Sequence, residues 1–256
     1  LGNEVAPLVQ ALEGKELKLD SDGDSSIQAS TDDQIDIKIS GADDYKFTAN
    51  NFTALDSSNV VFGTGNDAKI FHDGNNTKFQ HTGTGGLYVG ADAFYITNGA
   101  TDTNHISVDS NGHVTMPKQP AFQVHPASTS QSNISINTDH TITLDTERFD
   151  QNGDFASNTF TAPVTGKYQL NLTLYVTDMP PDTAYVETYV ITSNKTYYAI
   201  VDSGAYDQDH SYFTFSTHVL ADMDANDTCT IAIRQSGGSV QMDIKPATNF
   251  SGYLVC

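Results

Sequence analysis

The stretch Phe160-Thr161-Ala162-Pro163-Val164-Thr165-Gly166-Lys167-Tyr168-Gln169-Leu170-Asn171-Leu172-Thr173-Leu174 decides the fold. Tyr168, Leu170, Leu172 and Leu174 recur at every second position. A strand here turns all four to one face, with Gln169, Asn171 and Thr173 on the other. Proline has a fixed φ and no N–H, so Pro163 marks the start of that strand rather than its interior. Gly166 reads as a place whose backbone angle other residues resist. Four large apolar side chains on one face need a facing layer. Similar runs at Tyr185–Ile191, Tyr197–Val201, Tyr212–Leu220, Thr228–Ile233 and Tyr253–Val255 supply it. Their spacing predicts seven or eight strands beyond residue 117 and a two-sheet sandwich.

Upstream the same period of two continues on thinner material. Ile35, Ile37 and Ile39 alternate with Asp36 and Lys38, and Asp43-Asp44 reads as a turn before Tyr45 and Phe47. Gly63 to Asn66, His72-Asp73-Gly74-Asn75-Asn76, Asn98 to Ala100 and Asn111-Gly112 are further turns, Asp-Gly being suited to tight hairpins. Each short strand offers only two or three apolar positions. One sheet built this way leaves open edges and removes little area from water, whereas stacked repeats or three chains wound together close it. Residues 20–117 therefore read as the shaft of a homo-oligomer, Pro117-Lys118-Gln119-Pro120 as a boundary, and residues 118–256 as a head. Residues 1–19 form a connector. Val5, Leu8 and Leu12 with Gly14 behind them predict a short helix there.

Composition narrows the function. The net charge is −20, and 27 of the 32 acids are Asp, a turn residue, beside 19 Gly and 25 Tyr and Phe. Such a field repels nucleic acid and anionic bilayers, so neither is expected as a partner. No apolar run approaches the ~20 residues of a membrane span, and no signal peptide is visible. The start at Leu1 rather than Met reads as a processed product or a fragment.

Phe149-Asp150, Gly153, Phe155 and the stretch Phe160 to Tyr168 resemble the core signature of complement-1q-type heads, which run a Gly-x-Phe strand into a Pro-x-x-Gly-x-Tyr turn. His218-Val219-Leu220, Asn226-Asp227-Thr228 and Asn249-Phe250-Ser251-Gly252-Tyr253-Leu254 resemble that family's later motifs, with Asn226 where Gly is usual. The resemblance covers Ala121 to Cys256. It implies a jelly roll related to tumour necrosis factor, a tight homotrimer, and ligand binding rather than catalysis. Phe250, Tyr253 and Val255 read as sheet or trimer packing. Separately, Thr64 to Asn76, with Asp20 to Asp24 and Asp32 to Ile37, resembles repeats of tail-fibre and appendage proteins of marine bacteriophages. Together they imply an all-β, homotrimeric virion fibre, extracellular, joined to other virion proteins at its N-terminal end. Its head would attach the particle to a host surface glycan or protein. A capsid-decorating fibre, a bacterial adhesin and a glycan-degrading spike are the rival readings.

Candidate chemistry follows from the loops. Asp178 and Asp182, Tyr206 and His210, and Asp222 and Asp224 are candidate receptor-binding residues, with Tyr185, Tyr197, Tyr198 and Tyr206 as flat faces for sugars. Asp202, Asp207 and Asp209 are candidate calcium ligands, because three carboxylates in eight residues suit a hard cation. Asp20-Ser21-Asp22-Gly23-Asp24 fails the EF-hand spacing and reads as a solvated turn. No Gly-x-Ser-x-Gly elbow or Gly-rich phosphate loop is present, and the His and Cys lack zinc spacing, so an enzyme is not expected. Cys229 alternates with Ile231 and Ile233 and reads as a buried thiol. A bridge to Cys256 cannot be settled by spacing.

Overall fold

Strands joined by polar turns account for every regular element but one in the computed structural model, which describes residues 15–256. The helix expected near Val5–Gly14 lies outside the described residues. The chain divides into two units, the first ending at Gly90 and the second running from Ala91 to Cys256.

In the first unit, β1 (Leu17–Lys18), β2 (Ser26–Gln28), β3 (Ile35–Ile39), β4 (Ala42–Thr48) and β5 (Asn51–Ala54) form an antiparallel meander in chain order. β6 (Asn59–Phe62), β7 (Ala68–His72) and β8 (Thr77–His81) form a second. The sheet thus begins at Leu17, inside the segment expected to be a connector. Asp43 and Asp44 are not a turn either. They sit within β4 at a register shift opposite Ile37 and Lys38, and the reversal falls on Ser40 and Gly41, both at positive φ. The hairpin at His72–Thr77 is as expected, with Asp73 Oδ1 accepting from Asn75 N at 3.0 Å and Asn76 N at 2.7 Å.

The second unit opens with a third meander, β9 (Phe94–Thr97), β10 (Asn104–Val108) and β11 (Val114–Thr115). Residues 117–120 then lead into twelve strands. The elements are β12 (Ala121–His125), β13 (Asp139–Thr141), β14 (Thr146–Asp150), β15 (Phe155–Ala156), β16 (Thr159–Thr161), β17 (Gly166–Thr177), β18 (Thr183–Thr192), β19 (Thr196–Val201), β20 (Phe213–Met223), β21 (Thr228–Gly237), β22 (Asp243–Ile244) and β23 (Asn249–Leu254). One sheet runs β14-β12-β23-β17-β20 with β22 on β17, the other β15-β16-β21-β18-β19 with β13 on β21. This is the jelly-roll sandwich, with more strands than the seven or eight expected. The extra ones, such as β15 and β22, have two residues each and no readable period.

The core lies between these sheets. Tyr168, Leu170, Leu172 and Leu174 are all fully buried, as their alternation requires. Around Phe122 the signature aromatics converge. Phe160 stacks on it at 4.6 Å, Phe155 lies at 5.4 Å and Phe250 meets it edge-on at 5.2 Å. The Tyr168 hydroxyl donates to Val164 O at 2.7 Å, so the turn and the strand hold one another. Asp150 accepts from Asp154 N at 3.0 Å and Phe155 N at 2.8 Å, which closes the loop containing Gly153 at positive φ. Gly166 is required for a different reason from the one its sequence suggests. A Cβ there would stand 2.6 Å from both the Cys256 carbonyl oxygen and Leu254 Cδ1, so the closing strand's approach, and not a backbone angle, excludes a side chain.

Candidate binding surface of the C-terminal domain

Strand register sorts the predicted loops between the two ends of the sandwich. β17 and β20 pair over their whole length, from Gly166 opposite Met223 to Val176 opposite Phe213. Eleven pairs at ~3.4 Å per residue separate the ends by roughly 35 Å. Ala121 pairs with Tyr253, which pairs with Gln169, so the chain enters at the end that carries Lys167 and Asp222. The opposite end carries residues 178–182 and 202–211.

At that distal end Met179 and His210 exchange backbone hydrogen bonds of 3.2 and 3.0 Å, fastening the two loops. Asp178, at positive φ, accepts from Thr177 Oγ1 at 2.8 Å. Asp182 Oδ1 accepts from Ser239 N and Oγ at 3.0 and 3.1 Å, tying in a third loop. A shallow cleft of about 190 Å³ results, lined by Asp178, Pro180, Asp209, His210, Ser211 and Val240. The Tyr206 ring lies 4.6 Å from the His210 ring and 6.2 Å from Phe213. Tyr212, exposed, stacks on Tyr175 at 6.1 Å. Asp178, Tyr206, His210 and Asp209 are thus brought together. This arrangement offers carboxylates, an imidazole and aromatic faces to a polar ligand.

Two predicted groups are not assembled. Asp222 and Asp224 are at the end where the chain enters, so they share no surface with the distal loops. There Asp222 pairs with Lys167 Nζ at 2.5 Å, and Asp224 accepts from Thr165 Oγ1 at 3.4 Å. Asp202, Asp207 and Asp209 share the distal end but do not converge. Among the described residues the only three acidic side chains with ligand atoms within 4.8 Å of one another are Asp20, Asp22 and Asp24. Ser203, buried, holds the start of the loop by donating to Thr183 O at 3.0 Å, while the His210 bridge draws Asp209 toward Met179. The Asp20 group has its own explanation as a turn. Asp20 Oδ1 accepts from Gly23 N at 3.0 Å and Ser25 N at 3.2 Å, and hydrogen bonds from Ser25 hold its carboxyl below the usual range. Of the tyrosines, Tyr198 is exposed, while Tyr185 and Tyr197 are half-buried. Tyr197 and Tyr198 line a groove between β19 and β20 with Lys195 and His218.

The sequence marks the loop from Asp178 to Asp182, which includes Pro180, but gives no sign of Ser211 and Val240 as parts of the cleft. The bridge between Met179 and His210 brings in Ser211 and the Ser239 bonds to Asp182 bring in Val240, and nothing local in the chain signals either. Cys229 is buried and Cys256 exposed, both as free thiols, and burial pushes the Cys229 thiol up to about 12.

The all-β jelly-roll sandwich is the fold of C1q and tumour-necrosis-factor-like domains. The C1q domain profile matches residues 121–255, more than half of the chain, and the chain belongs to that family. Domains of this family are commonly trimeric and typically non-enzymatic. Among solved structures the chain is similar to the globular domain of zebrafish complement 1qA (16% identity, 54% of this chain and 98% of that one, TM-score 0.41). Murine APRIL is similar at 12% identity over 54% and 98%, TM-score 0.39. Eiger TNF from S. frugiperda is similar at 12% over 54% and 93%, TM-score 0.41. No curated protein matches the chain.

Proposed function

We propose that the protein is a homotrimeric virion fibre, extracellular on the particle, whose C1q head attaches a bacteriophage to its host. The observation that carries this reading is the distal cluster of Asp178, Tyr206, Asp209 and His210, at the end of the sandwich opposite the one the chain enters. A head held from one end offers the other to a partner. The bacteriophage context is supported by the resemblance of the Thr64–Asn76 repeat to appendage proteins. The role is binding rather than catalysis. Three identical heads on one fibre turn weak contacts with a surface glycan or protein into firm attachment through effective concentration. The N-terminal end meets other virion proteins. Asp202, Asp207 and Asp209 remain proposed calcium ligands only if calcium redraws the loop, since they do not converge without it.

The test uses labelled full-length protein on a panel of bacterial strains. Selective binding that falls at least ~10-fold in His210→Ala and Tyr206→Ala, but is kept in Asp222→Asn, is expected. Equal adsorption to all strains would point to a decorating fibre, and release of reducing sugar from surface polysaccharide to a glycan-degrading spike. Either result overturns the attachment role.

A further inference from the structure

The first three sheets share an arrangement that the head does not. In the five-stranded meander the register sets Leu17, Ile27, Ile37, Tyr45 and Ala54 opposite one another in a single row across all five strands. A parallel row on the same face is Ile35, Phe47 and Phe52. The other face carries Lys18, Asp36, Lys38 and Lys46. In the second meander Val60, Ile70 and Phe79 form the row, and in the third Phe94, Val108 and Val114 with Ile96 and Ile106 beside them. No Asp, Glu, Lys or Arg interrupts any of these rows.

These faces are open. Between residues 15 and 119 the only buried side chains are Ser26, Asp36 and Ser58, while Ile27 is 37% exposed, Phe52 55% and Ile96 47%. A sheet with its one apolar face in water lacks what makes a meander stable, and such a patch marks a contact surface. On the opposite face of the second meander the chain does cover its own aromatic. Lys69 and Lys78 lie over the Phe71 ring at 5.0 and 5.6 Å. Ile70 and Phe79 have no such cover.

We infer that the apolar face of each meander is a seam along which copies of this same chain pack, each meander against its counterparts in the other copies. This rests on the homotrimeric reading above and deepens it. The occupant is another copy for three reasons. The rows carry no charge, so chains of net charge −20 can meet there without bringing like charges together. Three separate sheets repeat the device, and a closed ring of copies lets each sheet meet its own counterparts, which a single partner site does not. The C-terminal domain belongs to a family that is commonly trimeric, and it would gather three chains at one end.

The test exploits neighbours on opposite faces that are equally exposed in a lone chain. Tyr95 (54%) and Ile96 (47%) are one such pair, Val61 (43%) and Phe62 (52%) another. Each is changed to Cys in full-length Cys256→Ser protein, and maleimide labelling of the native protein is timed alongside its mass in solution. Ile96→Cys and Phe62→Cys should label at least ~10-fold more slowly than Tyr95→Cys and Val61→Cys. Equal labelling of both faces in a protein of trimeric mass overturns the seam and leaves the trimer standing. A monomeric mass overturns both, and protection within a monomer shows that the chain covers the face itself, which also overturns the seam. A variant that fails to fold is replaced by Asn51→Cys and Phe52→Cys, neighbours on opposite faces of the first meander that are both exposed.

Discussion

At the scale of single residues the C1q signature resolves into contacts. Tyr168 is buried by Phe160, whose ring it meets at 5.4 Å, and its hydroxyl reaches back to Val164 O. Tyr168→Phe removes one hydrogen bond and should cost about 1 kcal/mol of stability. Gly166→Ala must push the closing strand away from Cys256 and Leu254, so a loss of about 1–3 kcal/mol is expected. Thermal unfolding of the two variants beside the parent checks both, and Gly166→Ala should be the worse. Asp154 runs the other way. Burial, with the Asp150 carboxylate adding to it, raises its pKa, and its Oδ2 is buried without a partner. Between the ordinary carboxylate value and the raised one the folded state holds the extra proton, so stability falls as pH rises through that window. Asp154→Asn should therefore unfold at higher temperature than the parent at neutral pH, and the difference should vanish below pH ~3. For the thiols, one per chain should react with a thiol reagent in the native protein, Cys256. Cys229 should appear only on unfolding.

At the scale of elements, what could be read locally was read. The alternation of β17 announced a buried face, and the Asp-Gly hairpin at residues 72–77 announced its own turn. β12 escaped because Phe122 and Val124 give only two apolar positions in five residues, although Phe122 is the centre of the aromatic cluster. The reversal at Ser40-Gly41 escaped because Asp43-Asp44 looked the better turn, and a register shift absorbed them into β4. The candidate site was legible as loops but not as a place. Whether two loops share an end depends on which strands pair, and that pairing joins residues as distant as Tyr168 and Leu254. This is why Asp222 and Asp224 were grouped with loops at the opposite end. The fastening of the distal loops makes a prediction of its own. Asp182→Ala removes both bonds from Ser239 and should free the loop at residues 237–241, seen as faster amide exchange there with little change in global stability.

At the scale of the whole molecule, composition and architecture explain each other. The acids are mostly Asp because the chain turns often, as at Asp20, Asp73, Asp102 and Asp109, where carboxylates accept from nearby backbone or side-chain groups. Among the described residues a buried apolar core exists only from Phe122 onward. Each sheet before it leaves an uncharged apolar row exposed on one face, a state that water does not favour for a lone chain. The C1q domain at one end and the open rows before it both point to assembly of identical chains. Light scattering on the purified full-length protein tests that claim most directly. The expected mass is three times the 27.6 kDa of one chain, unchanged on dilution. A stable mass of 27.6 kDa would contradict the account, because neither the shaft nor multivalent attachment survives in a monomer.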